Sequence, residues 1–237
     1  VIPDDVGGRY SVFTPVGLFP MAVAGLDIAA FIAGAREGIL EYSNPNLEEN
    51  EAYKYAATRY ILKKQKNEVE FLITYEPHFT ALAEWWKQLF GESEGKNNNG
   101  LLPDSLCFTT DLHSMGQFCQ EGSSIFFETT IAVGKYQDDI VIPKTIINLD
   151  KLNYLAGKNI SYVNDIAIQS TMEAHHIEGN RANLLIELDQ MNEFNLGKLM
   201  FFFCKACAMS AYLLGVNPFN QPGVEIYKAR MKGLLNK

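Results

Sequence analysis

Four short polar segments carry the side chains of this protein that could do chemistry. They are Gly-Gly-Arg-Tyr-Ser at 7–11, Glu-Ser-Glu-Gly-Lys at 92–96, Asp-Leu-His-Ser-Met-Gly-Gln at 111–117 and Asn-Gln-Pro-Gly-Val-Glu-Ile-Tyr-Lys at 220–228. Together they supply an arginine, a carboxylate, a histidine and a lysine, which suffice for proton transfer on a polar, anionic substrate. The combination predicts an enzyme.

The first segment places Arg9 directly after two glycines. Glycine tolerates positive φ, so this turn would let the backbone approach a ligand closely. An arginine on such a turn can hold a developing enediolate through charge-assisted hydrogen bonds. Two adjacent glycines are weak evidence for a site by themselves.

The second segment places Glu92 at the end of a helix that is expected to begin at Pro77, with Gln88 on the same helix face. The negative end of the helix dipole makes such a carboxylate a better proton acceptor, as a general base requires. The alternative is that the segment is simply a polar turn. Of its two glutamates, Glu94 is the one expected to be solvated.

The third segment places His113 just after a predicted strand at 106–109, with Asp111 as the expected helix N-cap. In parallel sheets, ligands bind at the carboxyl ends of the strands. The helix dipole disfavours imidazolium, so His113 would be a neutral proton acceptor in the first helical turn. The alternative is a solvated or capping histidine.

In the fourth segment, Asn220 is a plausible N-cap and Pro222 falls in the first turn of a predicted helix. Gln221 and Lys228 are seven residues apart, which puts them on one face two turns apart. A lysine in this position is by default a solvated surface charge.

The elements that must position these residues alternate between strands and helices. Strands are predicted at 69–75, 106–109, 125–133, 139–143 and 183–187, and helices at 14–40 with Asp27 as an internal cap, 47–65, from 77, 111–120, 163–176, 194–215 and 224–235. This order predicts an α/β fold of three αβα layers, with a mostly parallel sheet covered by helices on both faces. No repeat or domain linker interrupts it.

Composition narrows the class of protein further. The formal net charge of -8 argues against binding to nucleic acid. The most apolar stretch, 199–216, is interrupted by Lys205 and Ser210, so it predicts a buried central helix and no membrane partner. Cys204 and Cys207 lack a second cysteine or histidine pair, so they are expected to be core thiols of a cytoplasmic protein without a metal site.

Seen together, the motifs resemble one known family. Residues 5–17 and 215–228 closely resemble the two signature patterns of the glucose-6-phosphate isomerase family, and 92–96 and 110–117 look like its bacterial members. The resemblance spans essentially the whole chain. It implies a sugar-isomerase-like fold and an aldose-ketose isomerase of glycolysis and gluconeogenesis, which interconverts glucose 6-phosphate and fructose 6-phosphate through a cis-enediol.

The resemblance also implies a role for each site residue. Glu92 would shuttle the proton between C2 and C1, and Arg9 would stabilise the enediolate. His113 and Lys228 would assist ring opening. Gln88 and Gln221 would position the substrate. The histidine would come from the partner subunit of a homodimer with a shared active site, and neither a metal nor an organic cofactor is implied.

One part of the family pattern has no match, namely the Ser/Thr-rich phosphate-binding loop of a preceding domain. Residues 1–237 are therefore expected to be the carboxy-terminal sugar-isomerase-like domain of a longer enzyme, with terminal helices and without the amino-terminal phosphate-binding domain. We expect this portion alone to be inactive. The alternative function is a non-catalytic sugar-phosphate-binding regulatory module, which the presence of both Glu92 and His113 disfavours.

Overall fold

The computed structural model describes residues 1–136 and 138–236. The helices are α1 (Pro15–Val23), α2 (Ile28–Glu41), α3 (Glu51–Lys64), α4 (Thr80–Glu94), α5 (Phe108–Glu121), α6 (Ile160–Ile177), α7 (Glu193–Leu213) and α8 (Pro222–Leu235). The strands are β1 (Val69–Thr74), β2 (Leu102–Cys107), β3 (Phe126–Lys135) and β4 (Asn183–Gln190). Short 3₁₀ helices lie at Gly8–Phe13, Leu47–Glu49, Pro77–Phe79 and Asn153–Leu155.

The chain divides into two compact units. The first comprises Val1–Glu70, Ala81–Asp104 and Asn192–Lys237, and the second comprises Phe71–Thr80 and Ser105–Met191. The first unit is built mainly from helices. The second contains most of the sheet together with α5 and α6.

The sheet has four strands in the order β2-β1-β3-β4. β3 and β4 run parallel, from the pair Glu128 and Asn183 to the pair Lys135 and Gln190. Because each strand reaches the next through a helix, the strands share one direction. The predicted α/β fold with a parallel sheet is confirmed.

The core of the first unit is organised around α7. This helix is long and apolar enough to cross a membrane by length and composition, but 56% of its most apolar window is buried in the protein. It packs against α2 and α3. A Cβ on Gly34 would lie 1.8 Å from the carbonyl oxygen of Phe194, so glycine allows α2 and α7 to approach closely. The predicted buried central helix is confirmed.

The core of the second unit contains an apolar cluster and a buried polar pair. Phe71 and Phe126 meet edge to face, with ring centroids 5.0 Å apart. His175 Nδ1 lies 2.9 Å from a carboxylate oxygen of Glu128, and both side chains are buried. The strand predicted at 183–187 is confirmed as the first part of β4, although its apolar run is not fully buried, since Leu185 is 47% exposed.

Several predicted element ends are confirmed and others are wrong. Asp27 caps α2 as expected, accepting a hydrogen bond from the amide of Ala30 at 2.9 Å. The helix predicted from residue 47 begins only at Glu51, because Asn50 caps it. The strand predicted at 139–143 is reduced to an isolated bridge between Val141 and Asn159.

Candidate functional site

Arg9 is the centre of the polar site in the first unit. It lies in the 3₁₀ helix Gly8–Phe13 and its side chain is 0% exposed. A guanidinium has five N–H donors, and here each one has an acceptor in the protein. The acceptors are Ser93 Oγ (2.8 Å) for Nε, Glu92 Oε2 (3.0 Å) and Gln221 Oε1 (2.7 Å) for Nη1, and the carbonyls of Pro218 (2.6 Å) and Asn220 (3.0 Å) for Nη2.

The two glycines before Arg9 do not adopt the positive φ that their sequence predicts. Gly7 has φ −60° and neither glycine is in the positive-φ region. The turn is instead fixed by hydrogen bonds, because the amide of Tyr10 donates to the carbonyl of Gly7 and Ser11 Oγ donates to that of Gly8. The burial of Arg9 therefore owes nothing to special glycine geometry.

Glu92 lies in the last turn of α4 with its side chain 32% exposed. Arg9 donates to its Oε2, and Gln88 Nε2 donates to its Oε1 at 3.2 Å. Nearby on the same face, Trp85 Nε1 donates to the carbonyl of Arg9 at 3.0 Å. Both carboxylate oxygens are thus held in place, while solvent still reaches the group.

The loop before α8 is held to this site by two cations. Besides the two carbonyls bound by Arg9, Lys96 Nζ donates to the carbonyls of Asn217 at 2.5 Å and Ser93 at 2.7 Å. Burial, and then the nearby Arg9, lower the pKa of Lys96. The loop opens beside Gln221 into a shallow cavity of ≈ 290 Å³.

Asn220 was expected to cap α8, and that is wrong. The N-cap is Gln221, with Pro222 in the first turn as predicted. The side chain of Gln221 makes no cap hydrogen bond to the helix, because its Oε1 accepts from Arg9 Nη1. The carbonyl of Asn220 is also used by Arg9, so the end of the helix is adapted to the site.

Behind Arg9 lies a buried region formed by Tyr10, Ser93 and Cys207. The Tyr10 hydroxyl is 3.2 Å from Ser93 Oγ. Burial raises the pKa of Tyr10 far above its usual range, and Cys207 adds to the effect. Burial also raises the pKa of the Cys207 thiol to about 12, with Glu94 the next cause. Both groups therefore stay protonated at neutral pH, and neither is a base there.

The expectation that Glu94 is solvated is wrong, because its side chain is 0% exposed. It binds Arg59, which is also fully buried and whose Nε donates to Glu70 Oε2 at 2.6 Å. Burial opposes the charge on Arg59, but Glu70 and Glu94 outweigh it and raise the pKa of the guanidinium. The preference of Glu94 for this partner could not be read from the sequence around it.

Two predicted site residues lie apart from the hydrogen bonds of Arg9. Lys228 is on the exposed surface of α8, with its Nζ 3.1 Å from Glu225. His113 is an exposed residue of α5 in the second unit. It lies in the second helical turn and not the first, because α5 begins at Phe108 with Cys107 as N-cap. Asp111, predicted as the cap, accepts a hydrogen bond from the amide of Cys107 at 2.7 Å.

The carboxyl ends of the strands in the second unit border a cleft of ≈ 360 Å³. Its lining includes the carboxylates of Glu76, Asp138 and Asp139. Asp139 accepts from the amide of Ser161, so it occupies the N-terminus of α6 where an anion would otherwise bind. This acidic cleft does not suit a phosphate. Among residues 1–136 and 138–236, no three His, Cys, Asp or Glu side chains are grouped to hold a metal ion.

Comparison with known proteins decides the family. The family model described as phosphoglucose isomerase matches residues 1–237. The chain belongs to the phosphoglucose isomerase family. The resemblance seen in the motifs is thereby confirmed.

Curated relatives and solved structures agree with this assignment. The glucose-6-phosphate isomerases of Mycoplasmopsis pulmonis and Heliobacterium modesticaldum are 55% and 52% identical over all 237 residues, which make up 55% and 53% of their lengths. The chain thus spans about half the length of these relatives. The crystal structure of a hypothetical protein from Thermus thermophilus matches 100% of this chain and 57% of its own, with TM-score 0.91 and 29% identity.

A further solved structure supports the fold alone. The glucose-6-phosphate isomerase from Chlamydia trachomatis superposes on 98% of this chain, and on 48% of its own, with TM-score 0.81 and 18% identity. The family membership rests on the sequence comparisons, and the geometry around Arg9 rests on the hydrogen bonds of this structure.

Four residues of the Arg9 site were not predicted from the sequence, namely Tyr10, Trp85, Ser93 and Lys96. A weak signal existed for Trp85, which precedes Gln88 by three residues and Glu92 by seven and so shares their helix face. Ser93 and Lys96 lie inside a motif that was singled out for Glu92. Ser93 accepts from Arg9 and Lys96 donates to Asn217, each more than 80 residues away in the chain, which no local pattern reveals.

Proposed function

We propose that the polypeptide containing this chain is an aldose-ketose isomerase that interconverts glucose 6-phosphate and fructose 6-phosphate. One observation carries the proposal, which is the Glu92 carboxylate held between Arg9 and Gln88 and one-third open to solvent. A carboxylate fixed at both oxygens yet accessible is what a general base requires. Membership of the phosphoglucose isomerase family supplies the substrate class.

In the proposed reaction, Glu92 removes the proton from C2 of the open-chain aldose and returns it to C1. The electron pair left on C2 forms a C1=C2 double bond while the carbonyl π pair moves to O1, giving a cis-enediolate. A proton then passes from O2 to O1, and O2 forms the new carbonyl with C2 as C1 takes up the proton. As Glu92 becomes neutral, Arg9 loses the charge of its carboxylate partner just as negative charge develops on the intermediate. Arg9 therefore stabilises that charge without having to move, which is the main advantage of a preorganised cation.

Gln88 and Gln221 each contact the Arg9 and Glu92 pair directly, and we assign them to substrate positioning. His113 and Lys228 are assigned to ring opening. The ion pair of Lys228 is with the exposed Glu225 on the same helix, so its ammonium can turn toward a sugar. The substrate contacts are ionic and hydrogen-bonding throughout, and the proposal includes no metal or cofactor.

We further propose that His113 acts in the site of a partner subunit of a homodimer. Its exposure on α5 leaves the imidazole available to another molecule. The segment between β3 and α6 supports a protein partner, because it exposes large apolar side chains that a monomer rarely leaves in water. They are Ile140, Val141, Ile146, Ile147, Leu149 and Tyr154, each more than half exposed.

The proposal places the chain in the carboxy-terminal part of a longer, cytoplasmic enzyme whose remaining part binds the phosphate. The relatives' greater length supports a longer enzyme. The four cysteines are free thiols, as a reducing compartment requires. Without the phosphate contacts, residues 1–237 alone should turn over slowly, because remote binding energy contributes to kcat. The alternative, a binding module, has no use for a carboxylate arranged as Glu92 is.

Subunit mixing tests the shared site. In the full-length protein, Glu92→Gln and His113→Ala homodimers should each be nearly inactive. A mixed dimer has one site with both defects and one with neither, so it should recover about half of the wild-type activity if the sites are independent. Differential tags would isolate the heterodimer. A confirmed heterodimer with no gain over its parents would place His113 beside the Glu92 of its own chain.

A further inference from the structure

The last turn of α4 is held on two opposite faces. Successive residues of an α-helix are rotated by about 100°, so residues two apart point in nearly opposite directions. Gln88 and Glu92 share the face that meets Arg9, and Phe90 and Glu94 share the opposite face. Glu92 and Glu94 are both in the helix, so fixing one face fixes the direction of the other.

Arg59 on α3 holds that opposite face at two points. Its guanidinium binds both oxygens of Glu94, Nη1 to Oε1 and Nη2 to Oε2, the second at 3.1 Å. Its Cζ lies 4.1 Å from the centre of the Phe90 ring. A paired contact to a carboxylate, combined with stacking on a ring, fixes both the rotation of this helix turn and its position along the helix axis.

Arg59 is itself fixed by two other elements. Its Nε donates to Glu70 at the start of β1, and its Nη1 donates to Ser210 Oγ on α7 at 2.6 Å. The Tyr55 hydroxyl donates to the other oxygen of Glu70 at 2.5 Å. The end of α4 is thus joined to α3, β1 and α7 through side chains that are fully or almost fully buried.

Stability alone is a poor reason for this cluster. Two carboxylates and one guanidinium are fully buried together, and well-packed apolar side chains often stabilise a core as much as or more than such ions do. What charged groups add is a defined geometry. That geometry matters here because helix ends fray readily, and Glu92 is only two residues from the end of α4.

We propose that Arg59 and Glu94 are positioning residues that hold Glu92 at its reactive geometry through the last turn of α4. The inference rests on the proposed function in one respect, namely that Glu92 is the base. A displacement of about 1 Å in a reacting group can cost about 100-fold in rate. The cluster therefore acts on kcat, since Gln88 lies a full turn further from the end of α4 than Glu92 does and Gln221 lies at the start of α8.

The kinetic test uses the full-length protein with Glu94→Gln and Arg59→Lys. The first keeps the shape of the side chain but removes its charge, and the second keeps the charge but loses the paired contact. Both should lower kcat by about 10-fold to 100-fold and leave KM within about twofold of wild type. The control is Lys63→Ala, which removes the Lys63–Glu68 ion pair one turn along α3 and should change neither constant.

A second readout does not depend on isomerase activity. In the full-length protein labelled with ¹⁵N, the Nε–H resonance of Arg9 reports its hydrogen bond to Ser93. Glu94→Gln should shift or broaden this resonance, and Lys63→Ala should leave it in place. If Arg59→Lys does not fold, Glu94→Gln carries the test alone, and circular dichroism shows that the variant is folded.

The results separate the two proposals. A folded Glu94→Gln variant with wild-type kcat and an unchanged Arg9 resonance would overturn the positioning role. A raised KM with unchanged kcat would also overturn it, because it would show a binding role. If Glu92→Gln itself remained active, the assignment of Glu92 as the base would fail, and the Arg9 resonance would still decide whether the cluster positions this turn.

Discussion

The first unit contains two fully buried arginines that differ in what surrounds their charge. Arg59 faces two carboxylates, Glu70 and Glu94, both 0% exposed. Arg9 faces two backbone carbonyls, a serine hydroxyl, a glutamine amide and one carboxylate, Glu92, which is 32% exposed. The same side chain, equally buried, is thus compensated in two different ways.

Under the proposed function, the difference separates a structural cation from one that can stabilise a charged intermediate. The charge of Arg59 is balanced by groups that no solvent or ligand reaches, so it can only hold elements together. The charge of Arg9 is balanced by one carboxylate that is open to solvent. When that carboxylate takes up a proton, Arg9 becomes available to whatever anion forms beside it.

The largest expected effect is on stability, and it distinguishes the two arginines. Arg59→Met leaves two buried carboxylates without their cation and should lower the free energy of unfolding by about 3 to 5 kcal/mol. Arg9→Met leaves mostly neutral acceptors without a donor, and Glu92 can turn to water. This variant should therefore lower the free energy of unfolding by only about 1 to 3 kcal/mol. Urea denaturation followed by circular dichroism measures both. The exposed Arg36→Met on α2 is the control and should change stability by less than about 0.5 kcal/mol.

Equal losses for the two variants would contradict the comparison. So would a larger loss for Arg9→Met, because it would show that Arg9 also serves mainly to hold the fold together.

A smaller effect comes from the serines that accept from each arginine. Ser93→Ala removes the acceptor of Arg9 Nε, and Ser210→Ala removes one acceptor of Arg59 Nη1. Each leaves buried donors with fewer partners and should cost about 1 to 3 kcal/mol. Activity of the full-length protein should fall more in Ser93→Ala, because its arginine contacts Glu92 directly. A larger loss of activity in Ser210→Ala would reverse the assignment of the two arginines.

The smallest effect is chemical and concerns the thiols. Burial raises the pKa of Cys207 and of Cys119 to about 12, and it raises the pKa of Cys204 as well. At pH 8 these thiols carry almost no thiolate, so a maleimide should label folded protein rapidly only at Cys107, although Cys204 is also partly exposed. Mass spectrometry counts the labels. Rapid labelling of Cys207 would show that water reaches the region between Arg9 and Glu94.

The sequence predicted most elements because their signals are local. Asp27 between two helices, the apolar run of β1 and the length of α7 each depend on nearby residues, and all are confirmed. Errors occur where a distant partner decides the local structure. Asn220 is not the cap of α8 because Arg9, more than 200 residues earlier, uses Gln221 and the neighbouring carbonyls.

The same contrast between local signals and distant partners explains which site residues could be predicted. Glu92, Arg9, Gln88 and Gln221 were predicted, and the structure brings them together. The motif around Glu92 gave no indication that its second glutamate is buried, because Arg59 on α3 is the residue that makes burial of Glu94 possible. Lys228 and His113 both lie at exposed positions, outside the hydrogen bonds of Arg9. Their roles in ring opening, which the family implies, remain proposals.

The most direct test of the central claim is exchange of the C2 proton of glucose 6-phosphate with solvent, measured by proton NMR in D₂O with full-length Glu92→Gln. Glutamine keeps the shape and the hydrogen bonds but cannot accept the proton. We predict that exchange and isomerisation both fall by at least about 1000-fold while sugar-phosphate binding persists. Glu84→Gln, an exposed change on the same helix, should behave as wild type. Exchange at the wild-type rate in folded Glu92→Gln would contradict the assignment of Glu92 as the base.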